Sequence, residues 1–558
     1  MTDTVEIHLK NTGQKRQVPI GSSLVDIIKI FDFKMPYLIA NAKVNNRTES
    51  LAYKVYRPKL VEFVDITSQS AMRTYVRSLC FIMAKAVHDI LPDAKTYIEH
   101  AVSKGYYFQI EVDDEKGKVT DSQLDDIRKR MHEIVKADHP FISHEEETAE
   151  VVKLFRENQM EDKALLLETS NFMYSRYFVL DGYMNYFYGC LTPSTGYITI
   201  FDIIRYNGGY LLQIPNRESP DKLEIFERQD KLLDIYREHL HFLKMTGLDN
   251  VGDLNKAKQM NHISDVIQIA EAYQSKQIGD IATQIAKRYE EGVRVIFISG
   301  PSSSGKTTFR KRLEIQLLVN MLKPVGISLD DYFVNRTNTP KDIAGEYDYE
   351  SLYALDLALF EQNILALTKG IEVDMPTYNF STGEREYKNN RLKINSNNIL
   401  IVEGIHALNP GLTAHIPDEK KFKIYVSALT SISLDNHNWI PASDNRLLRR
   451  MTRDYTYRNY SAMETISRWE SVKRGEDKWI FPYQENADVM FNSAMIYELG
   501  SIRRHVEPIL QQVPRTAPEY AEAYRLLKFL SYFNYINDRE LPPTSLLREF
   551  LGGSSFRY

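Results

Sequence analysis

The chain has 558 residues, too many for one hydrophobic core, so several domains are expected. Its hydrophobic fraction of 43% and charged fraction of 26% are ordinary for globular protein, and the formal charge of -5 gives no general attraction to nucleic acid or anionic membrane. The two cysteines, Cys80 and Cys190, exclude a disulfide framework and a cysteine metal cluster. The N-terminus lacks the pattern of a signal peptide, and no apolar run approaches the ~20 residues that span a bilayer, so we expect a cytoplasmic protein without a membrane partner.

Residues 1–65 are predicted to form a small β-grasp-like domain. Residues 5–10 alternate apolar and polar side chains, as a half-buried strand does, and a turn leads to residues 16–20 as the hairpin partner. The sequence Gly-Ser-Ser-Leu at 21–24 is suited to start a helix that reaches Ile30. Further short strands complete the domain.

Two segments separate this domain from the centre of the chain. Residues 66–215 are aromatic-rich and predict a mixed α/β domain, whereas residues 216–291 predict a helical connector. In the connector five apolar residues are expected on one helix face, at spacings of seven, three, four and three: Phe226, Leu233, Tyr236, Leu240 and Leu243. We interpret this face as packed in the interior, with partner binding as the alternative.

Residues 300–307 read Gly-Pro-Ser-Ser-Ser-Gly-Lys-Thr, a complete phosphate-binding loop. A mostly apolar stretch at 293–298 precedes the loop, and a helix-like stretch at 309–322 follows it. In this motif backbone N–H groups hold phosphate oxygens, the lysine reaches the terminal phosphates and the threonine hydroxyl binds Mg²⁺. The expected nucleotide-binding residues are Gly300, Ser302, Ser303, Ser304, Gly305, Lys306, Thr307 and Thr308. The chain is therefore predicted to bind a nucleoside triphosphate.

Strands and helices alternate after the loop, which predicts a doubly wound parallel sheet over residues 292–500. A helical tail is expected over residues 501–558, and the whole chain is predicted to be a multidomain α/β protein. Three acids, Asp330, Asp331 and Glu403, directly follow predicted strands, at the edge where such sheets bind ligands. An acid at this edge is suited to hold the Mg²⁺ shell.

A basic segment follows at residues 446–458. Arginines three and four positions apart share a helix face, and guanidinium groups neutralise charge on a phosphoryl group in transfer. A solvated basic helix is the alternative. Because a phosphate-binding loop precedes the segment, we favour an anion-binding role for its arginines.

Taken in order, these motifs resemble those of uridine kinases, whose wider family includes phosphoribulokinase. The resemblance is carried by the phosphate loop, the arginine segment and four shorter segments: Ser-Leu-Asp-Asp-Tyr-Phe at 328–333, Tyr-Asp-Tyr-Glu at 347–350, Pro-Thr-Tyr-Asn-Phe at 376–380 and Glu-Gly-Ile at 403–405. It implies an ATP-dependent kinase that uses Mg²⁺ and phosphorylates the 5′-hydroxyl of uridine, cytidine or a related nucleoside.

The resemblance also implies roles for single residues on the acceptor side. Asp330 looks like the general base for the acceptor hydroxyl and a partner of Mg²⁺, with Asp331 as its neighbour in the substrate site. Asp348 resembles the aspartate that grips the ribose hydroxyls, and Tyr378 resembles the aromatic residue beside the nucleobase. Arg385, in the loop that follows, is expected to be a further substrate residue.

On the donor side, the resemblance assigns Mg²⁺ to Thr307 and Glu403 together with Asp330. Lys306 is expected to act in catalysis with three arginines that resemble a lid closing over the triphosphate: Arg450, Arg453 and Arg458. These roles agree with the physical demand of phosphoryl transfer, which needs positioning and charge neutralisation more than covalent chemistry.

Two departures from the family pattern concern substrate choice. Uridine kinases usually carry a histidine that helps to read the pyrimidine where this chain has Gly383, and the lid has Tyr460 where an arginine is usual. The acceptor therefore stays open between a pyrimidine nucleoside and another small hydroxylated metabolite, such as a sugar phosphate. An RNA-associated regulatory NTPase is a third reading, which the combination of acceptor residues and lid disfavours.

The N-terminal half resembles other proteins. Residues 1–65 look like a TGS domain, on the strength of Pro-Ile-Gly-Ser-Ser-Leu at 19–24 and Ala-Asn-Ala-Lys-Val-Asn at 40–45. Leu-Pro-Asp-Ala-Lys at 91–95, Gly-Tyr-Tyr-Phe at 105–108 and Pro-Ser-Thr-Gly-Tyr-Ile at 193–198 resemble the second domain of threonyl-tRNA synthetase.

In that synthetase domain, two histidines, a cysteine and a further histidine line an editing pocket. The matching positions here hold Arg77, Phe81, Phe187 and Leu191. We therefore expect a retained fold without editing activity, because these side chains supply neither a base nor a metal ligand set. RNA binding and the oligomeric state are left open.

Overall fold

The computed structural model describes residues 3–112, 115–116, 119–342, 345–395 and 397–557. The chain divides into two compact units. The first unit comprises Met1–Asn261, Ser431–Pro441 and Glu507–Tyr535, and the second comprises His262–Thr430, Ala442–Val506 and Ile536–Tyr558. No helix among the described residues is long and apolar enough to cross a bilayer.

The first unit begins with a mixed five-stranded sheet and one helix. Its elements are β1 (Thr4–Leu9), β2 (Gln14–Pro19), α1 (Leu24–Phe31), β3 (Ile39–Val44), β4 (Arg47–Ser50) and β5 (Lys59–Asp65). The strand order is β2-β1-β5-β3-β4, with β1 and β5 parallel and the other pairs antiparallel. Ser23 begins α1 with a capping box that includes Asp26, so the predicted hairpin and helix are both present.

The rest of this unit is built on two antiparallel sheets, of orders β12-β13-β7-β6, with β8 paired to β7, and β11-β10-β9. The strands are β6 (Lys95–Val102), β7 (Gly105–Val112), β8 (Glu115–Lys116), β9 (Ile142–Glu147), β10 (Tyr174–Leu180), β11 (Tyr183–Asn185), β12 (Asp202–Tyr206) and β13 (Gly209–Gln213). The helices are α2 (Gln69–Ile90), α3 (Asp121–Ala137), α4 (Thr148–Glu157), α5 (Glu161–Glu168), α6 (Asp230–Thr246) and α7 (Val251–Gln259). The helix α2 is buried over most of its length and forms the centre of the largest apolar core of this unit.

The predicted apolar face of the connector is only partly correct. Leu233, Tyr236 and Leu243 lie buried on α6. Phe226 precedes this helix and is 39% exposed, so it does not belong to the face. A spacing of seven is compatible with a helix but does not require one, and the chain becomes helical only at Asp230.

The second unit contains a parallel five-stranded sheet and a separate hairpin. Its strands are β14 (Val295–Ser299), β15 (Lys323–Ser328), β16 (Val373–Asn379), β17 (Glu384–Leu392), β18 (Asn398–Glu403), β19 (Lys421–Ser427) and β20 (Val489–Asn492). Its helices up to this point are α8 (Ile263–Glu290), α9 (Lys306–Val319), α10 (Leu357–Thr368), α11 (Pro410–Thr413), α12 (Ala442–Arg458) and α13 (Ala462–Trp479). The helix α14 (Glu498–Leu510) begins in the second unit, and its residues from Glu507 onward belong to the first. The sheet has the order β15-β18-β14-β19-β20 with every pair parallel, which confirms the predicted doubly wound sheet.

Two helices remain in the C-terminal part of the chain, α15 (Tyr520–Leu530) in the first unit and α16 (Arg548–Leu551) in the second. The predicted connector is likewise divided, with α6 and α7 in the first unit and α8 in the second. The five-part division of the sequence stays a prediction, because compactness groups several of its segments into one unit.

Candidate active site

The phosphate-binding loop lies between β14, which is fully buried, and α9, which begins at Lys306. Glycine is required at two of its positions. A Cβ on Gly300 would lie 1.9 Å from the carbonyl oxygen of Val426, and Gly305 has a φ of +82°, which disfavours any other residue. Close packing against β19 and a left-handed turn therefore determine the shape of the loop.

The donors of the loop differ in what they contact. Lys306 Nζ donates to the carbonyl oxygens of Gly300 at 2.8 Å and of Pro301 at 3.0 Å. Burial lowers the pKa of Lys306, and the opposing charges of Glu403 and Asp330 limit that change. The Lys306 side chain therefore folds back onto the loop and lies near Glu403 and Asp330 at the edge of the sheet.

Two loop hydroxyls, Ser303 Oγ and Ser304 Oγ, are buried and have no hydrogen-bond partner among the described residues. Buried hydroxyls without a partner are costly, and they are a feature of sites that complete their hydrogen bonds with a ligand. The N–H of Ser302 donates to Glu476, and the N–H of Thr308 donates to Glu549. The backbone N–H groups of two predicted nucleotide-binding residues therefore donate to carboxylates.

One carboxylate connects the loop to the neighbouring strand. The Thr307 hydroxyl donates to Glu403 Oε1 at 2.7 Å, and Arg310 Nε donates to the second oxygen, Oε2, at 2.9 Å. Glu403 is the last residue of β18 and is 8% exposed. Hydroxyl and carboxylate oxygens are hard ligands that suit Mg²⁺, which takes few protein ligands and keeps phosphate oxygens or waters for the rest. No group of three or more His, Cys, Asp or Glu side chains in the described part of the chain could hold a metal ion by itself.

The parallel register brings a second acid to the same edge. Ser328 at the end of β15 pairs with Glu403 on β18, and Asp330 follows two residues later. Asp330 is exposed, yet the surrounding protein reduces its solvation and raises its pKa, with the charge of Glu403 as the second cause. Asp331 accepts a hydrogen bond from the N–H of Tyr378 at 3.4 Å.

The predicted acceptor residues lie on the segment from β15 to β17. Asp348 Oδ1 accepts the backbone N–H of Glu350 at 3.1 Å. Tyr378 is 5% exposed and packs against Phe333 and Phe380, with ring centroids 5.5 and 5.0 Å away. Its hydroxyl has no hydrogen-bond partner among the described residues. Tyr378 therefore offers an aromatic ring for packing and a hydroxyl group that has no hydrogen-bond partner among the described residues.

Arg385 has mainly a supporting contact. Its guanidinium donates to Asp356 Oδ2 at 2.9 Å and to the carbonyl oxygen of Phe333 at 3.0 Å, which ties the hairpin to the segment before it. Gly383, on the turn of the same hairpin, has a φ of +76°, and a Cβ there would lie 2.7 Å from Arg336 Nε. Any side chain at position 383 would therefore be strained and would displace Arg336.

The three predicted lid arginines share one carboxylate, Asp454, on their own helix α12. Arg453 lies 2.8 Å, Arg450 3.3 Å and Arg458 3.5 Å from its oxygens. Asp454 is 3% exposed, and Arg450 also donates to Ser302 Oγ at 3.0 Å. The arginines are therefore gathered by a buried acid, and one of them already contacts the phosphate loop.

Tyr460, which stands where the family usually has an arginine, lies beneath the guanidinium of Arg468, 5.3 Å from its ring centroid. Arg468, on α13, therefore forms a cation–π contact with this aromatic ring.

Three functional candidates were not identified from the sequence. Glu476, fully buried on α13, accepts the N–H of Ser302 at 2.9 Å and pairs with Arg446, whose Nη2 lies 2.8 Å from Oε2. Burial raises the pKa of Glu350 to about 7, opposed by Arg450. Asp454 is the third. No pattern in the sequence marks Glu476, whereas Glu350 and Asp454 lie within recognised motifs, at 347–350 and 446–458.

In the first unit, the four positions that match an editing pocket are packed. Phe81, Phe187 and Leu191 lie in one apolar core, and the rings of the two phenylalanines are 5.4 Å apart. Arg77 stacks on Tyr188 at 4.8 Å, and its guanidinium lies against Gly189. These side chains fill the space between them and present no base.

Comparison with known proteins separates the two halves of the chain. Residues 295–498 match the model of the Phosphoribulokinase / Uridine kinase family. This part of the chain is a domain of that family. The predicted resemblance is confirmed. A uridine kinase of Staphylococcus aureus (strain JH9) is 29% identical over 197 residues, which cover 35% of this chain and 86% of that protein.

The N-terminal region matches a different enzyme. The threonine–tRNA ligase of Syntrophomonas wolfei subsp. wolfei is 28% identical over 164 residues, which cover 29% of this chain and 25% of that protein. The chain thus spans a quarter of the length of this relative. A solved structure described as a possible uridine kinase from Bacillus stearothermophilus has 16% identity and a TM-score of 0.27, covering 38% of this chain and 98% of that chain. The fold assignment rests on the strand order instead.

Proposed function

We propose that the protein is an ATP-dependent kinase that transfers the γ-phosphoryl group to the 5′-hydroxyl of uridine, cytidine or a related nucleoside. The observation that carries the proposal is the meeting of Thr307, Glu403 and Asp330 at one edge of the parallel sheet, beside Lys306. A phosphate anchor, a metal-binding pair and a base are the parts that phosphoryl transfer requires.

On the donor side, the loop holds the triphosphate through residues 300–308, and Lys306 turns from the loop carbonyls to the terminal phosphates. Thr307 and Glu403, with Asp330 nearby, are the residues that would hold Mg²⁺, whose charge would stabilise the phosphate oxygens during transfer. Ser303 and Ser304 fit a ligand-bound loop because their buried hydroxyls lack protein partners among the described residues.

On the acceptor side, Asp330 takes the proton from the attacking hydroxyl. Its raised pKa makes it a better proton acceptor than an ordinary aspartate. Asp331 orients the acceptor segment through its hydrogen bond to Tyr378. Asp330 therefore acts in the chemistry, and Asp331 positions the acceptor segment.

The nucleoside itself is proposed to lie between Asp348 and Tyr378. Asp348 accepts the ribose hydroxyls, and Tyr378 packs beside the base and offers its unused hydroxyl. Arg385 acts as a positioning residue, since its guanidinium holds the hairpin that carries Tyr378. Gly383 has no side-chain group that could contact a base, which leaves the choice of base to other residues, so cytidine, uridine and related nucleosides are all candidates.

The lid arginines close over the transferring phosphoryl group. Some of the ion pairs that Asp454 makes with Arg450, Arg453 and Arg458 break. The released guanidinium groups neutralise the charge that spreads over the phosphoryl oxygens. Because Asp454 is buried, it keeps the three like charges together until a phosphate competes for them.

We further propose that residues 1–65 are a TGS-like domain and that residues 66–215 retain the synthetase fold without editing activity. The packing of Phe81, Phe187 and Leu191 supports the second statement. The alternatives are a phosphoribulokinase-like enzyme that acts on a sugar phosphate, and an RNA-associated regulatory NTPase. Residues 216–291 and 501–558 would connect and complete the kinase domain, which we place at 292–500.

An ATP-consumption screen of the purified full-length protein tests the proposal. The acceptors are nucleosides, sugar phosphates, tRNA and none. Turnover with uridine or cytidine, with the 5′-monophosphate as product, is expected. Turnover with a sugar phosphate alone would favour the first alternative, and acceptor-independent hydrolysis stimulated by tRNA would favour the second.

A further inference from the structure

An acidic side chain from the C-terminal part of the chain contacts the first turn of α9. One carboxylate oxygen of Glu549 accepts two hydrogen bonds from Thr308, from the backbone N–H at 3.1 Å and from the hydroxyl at 2.6 Å. A backbone N–H and a hydroxyl at the start of a helix form an anion-binding pair, favoured further by the helix dipole. Here the anion on that pair is a residue of the same chain.

A second residue of the same segment covers the loop. Leu546 lies three residues before Glu549, and a Cβ on Gly305 would lie 2.3 Å from Leu546 Cδ2. The leucine side chain therefore contacts the glycine backbone directly. Leu546 and Glu549 together cover two points, Gly305 and Thr308, at which a phosphate group would have to approach the loop.

The segment is held at the loop by its own packing within the second unit. Leu546, Leu547 and Phe550 are all 0% exposed, and the guanidinium of Arg449 lies 5.0 Å from the ring centroid of Phe550. Arg548 Nη2 donates to the carbonyl oxygens of Asp538 and Leu541, at 2.6 and 2.7 Å. Glu549 is therefore presented to Thr308 from a fixed support.

We propose that Glu549 regulates the nucleotide site as a built-in competitor of the phosphate groups. This inference rests on the proposed function, because competition requires a nucleotide that uses the donors of Thr308. Two anions cannot share the same two donors, since their charges repel at that distance. ATP binding then requires the Glu549 carboxylate to leave, and the apparent affinity is reduced by the fraction of molecules in which it has left.

The test is direct ATP binding to the full-length chain, measured by calorimetry without an acceptor. Glu549→Gln keeps the size of the side chain but removes the charge, and Glu549→Ala removes the competing group altogether. We expect both variants to bind ATP more tightly, by roughly tenfold for the alanine variant and less for the glutamine variant. Glu540→Gln is the matched control, because Glu540 lies in the same segment and contacts Ser264 instead of the loop.

The outcomes separate the two proposals. If the wild-type chain binds ATP and both Glu549 variants bind it equally or more weakly, Glu549 is a structural cap of α9 and the inference is wrong, while the proposed function stands. If neither the wild-type chain nor any variant binds ATP, the proposed function itself fails. A thermal-unfolding scan of each variant establishes that the loop is folded, and the alanine and glutamine variants serve as independent checks on each other.

Discussion

The hydroxyl of Thr307 donates to Glu403 at 2.7 Å, which joins the first turn of α9 to the end of β18. Glu403 also accepts a hydrogen bond from Arg310, so its charge is balanced by a residue of the same helix. The contact links the phosphate loop to the acidic edge of the sheet. It is the point from which the chemistry of the site is best tested.

Glu403→Gln keeps the shape of this side chain and removes its charge. We expect kcat to fall by about 100-fold or more at saturating ATP, because the metal loses a charged ligand and the charge that develops on the phosphoryl group is less well balanced. Steady-state kinetics over a range of Mg²⁺ concentrations measure the effect. Glu314→Gln is the control, since Glu314 pairs with the same Arg310 and does not contact Thr307. A near-normal kcat in the Glu403 variant would contradict the metal assignment.

Asp330→Asn tests the proposed base. Acceptor phosphorylation is expected to fall by between about 100- and 10,000-fold, whereas ATP binding should change little, because the amide cannot take a proton. In Asp331→Asn we expect the larger change in the KM of the acceptor, since Asp331 contacts the acceptor segment. If Asp330→Asn retained most of its turnover, another group would have to be the base.

We also expect the activity to depend on pH through Asp330. The raised pKa of Asp330 means that its carboxylate takes up a proton at a higher pH than an ordinary aspartate does. Base activity is therefore present above this pKa and is lost as the pH falls through it, so the acid limb of kcat/KM should lie above the range of an exposed aspartate. The limb should disappear from the residual activity of Asp330→Asn and persist in Asp331→Asn.

Asp454→Asn tests how the lid arginines are held. Without the shared charge, Arg450, Arg453 and Arg458 repel one another, and we expect kcat to fall about tenfold with increased sensitivity to salt. Glu464→Gln is a suitable control, because Glu464 caps the next helix through its hydrogen bonds with Ser461. An unchanged kcat in Asp454→Asn would mean that phosphate alone organises the lid.

The glycine at position 383 offers a matched pair of variants. Gly383 and Gly370 have similar φ angles of +76° and +72°, so alanine adds similar strain, about 1 kcal/mol, at both. Only at Gly383 would the new Cβ meet Arg336, since at Gly370 the nearest atom is 3.7 Å away. We expect Gly383→Ala to lower the thermal midpoint more than Gly370→Ala and to raise the KM of the acceptor. Equal effects on both would show that Arg336 moves freely.

Much of this site could be predicted from the sequence, because each of its parts is formed by residues that are close together in the chain. The phosphate loop, the acids after β15 and β18, and the arginines of α12 are each recognisable from neighbouring residues, since a glycine turn, a strand end and a helix face are set by short-range geometry. The parallel sheet and the β-grasp hairpin were predictable for the same reason. The prediction that Phe226 lies on the apolar helix face is wrong, because spacing alone does not show where a helix begins.

Tertiary structure decided which residues act together. Glu476 lies 174 residues from Ser302 and Glu549 lies 241 residues from Thr308, yet each accepts an N–H of the phosphate loop. No local pattern marks either glutamate, because the burial and the dipole that make these contacts favourable arise only when distant helices pack on the loop. The amino-acid sequence by itself determined that a phosphate-binding loop is present. Only the folded chain decided that two carboxylates distant in the sequence, those of Glu476 and Glu549, accept backbone N–H groups of that loop.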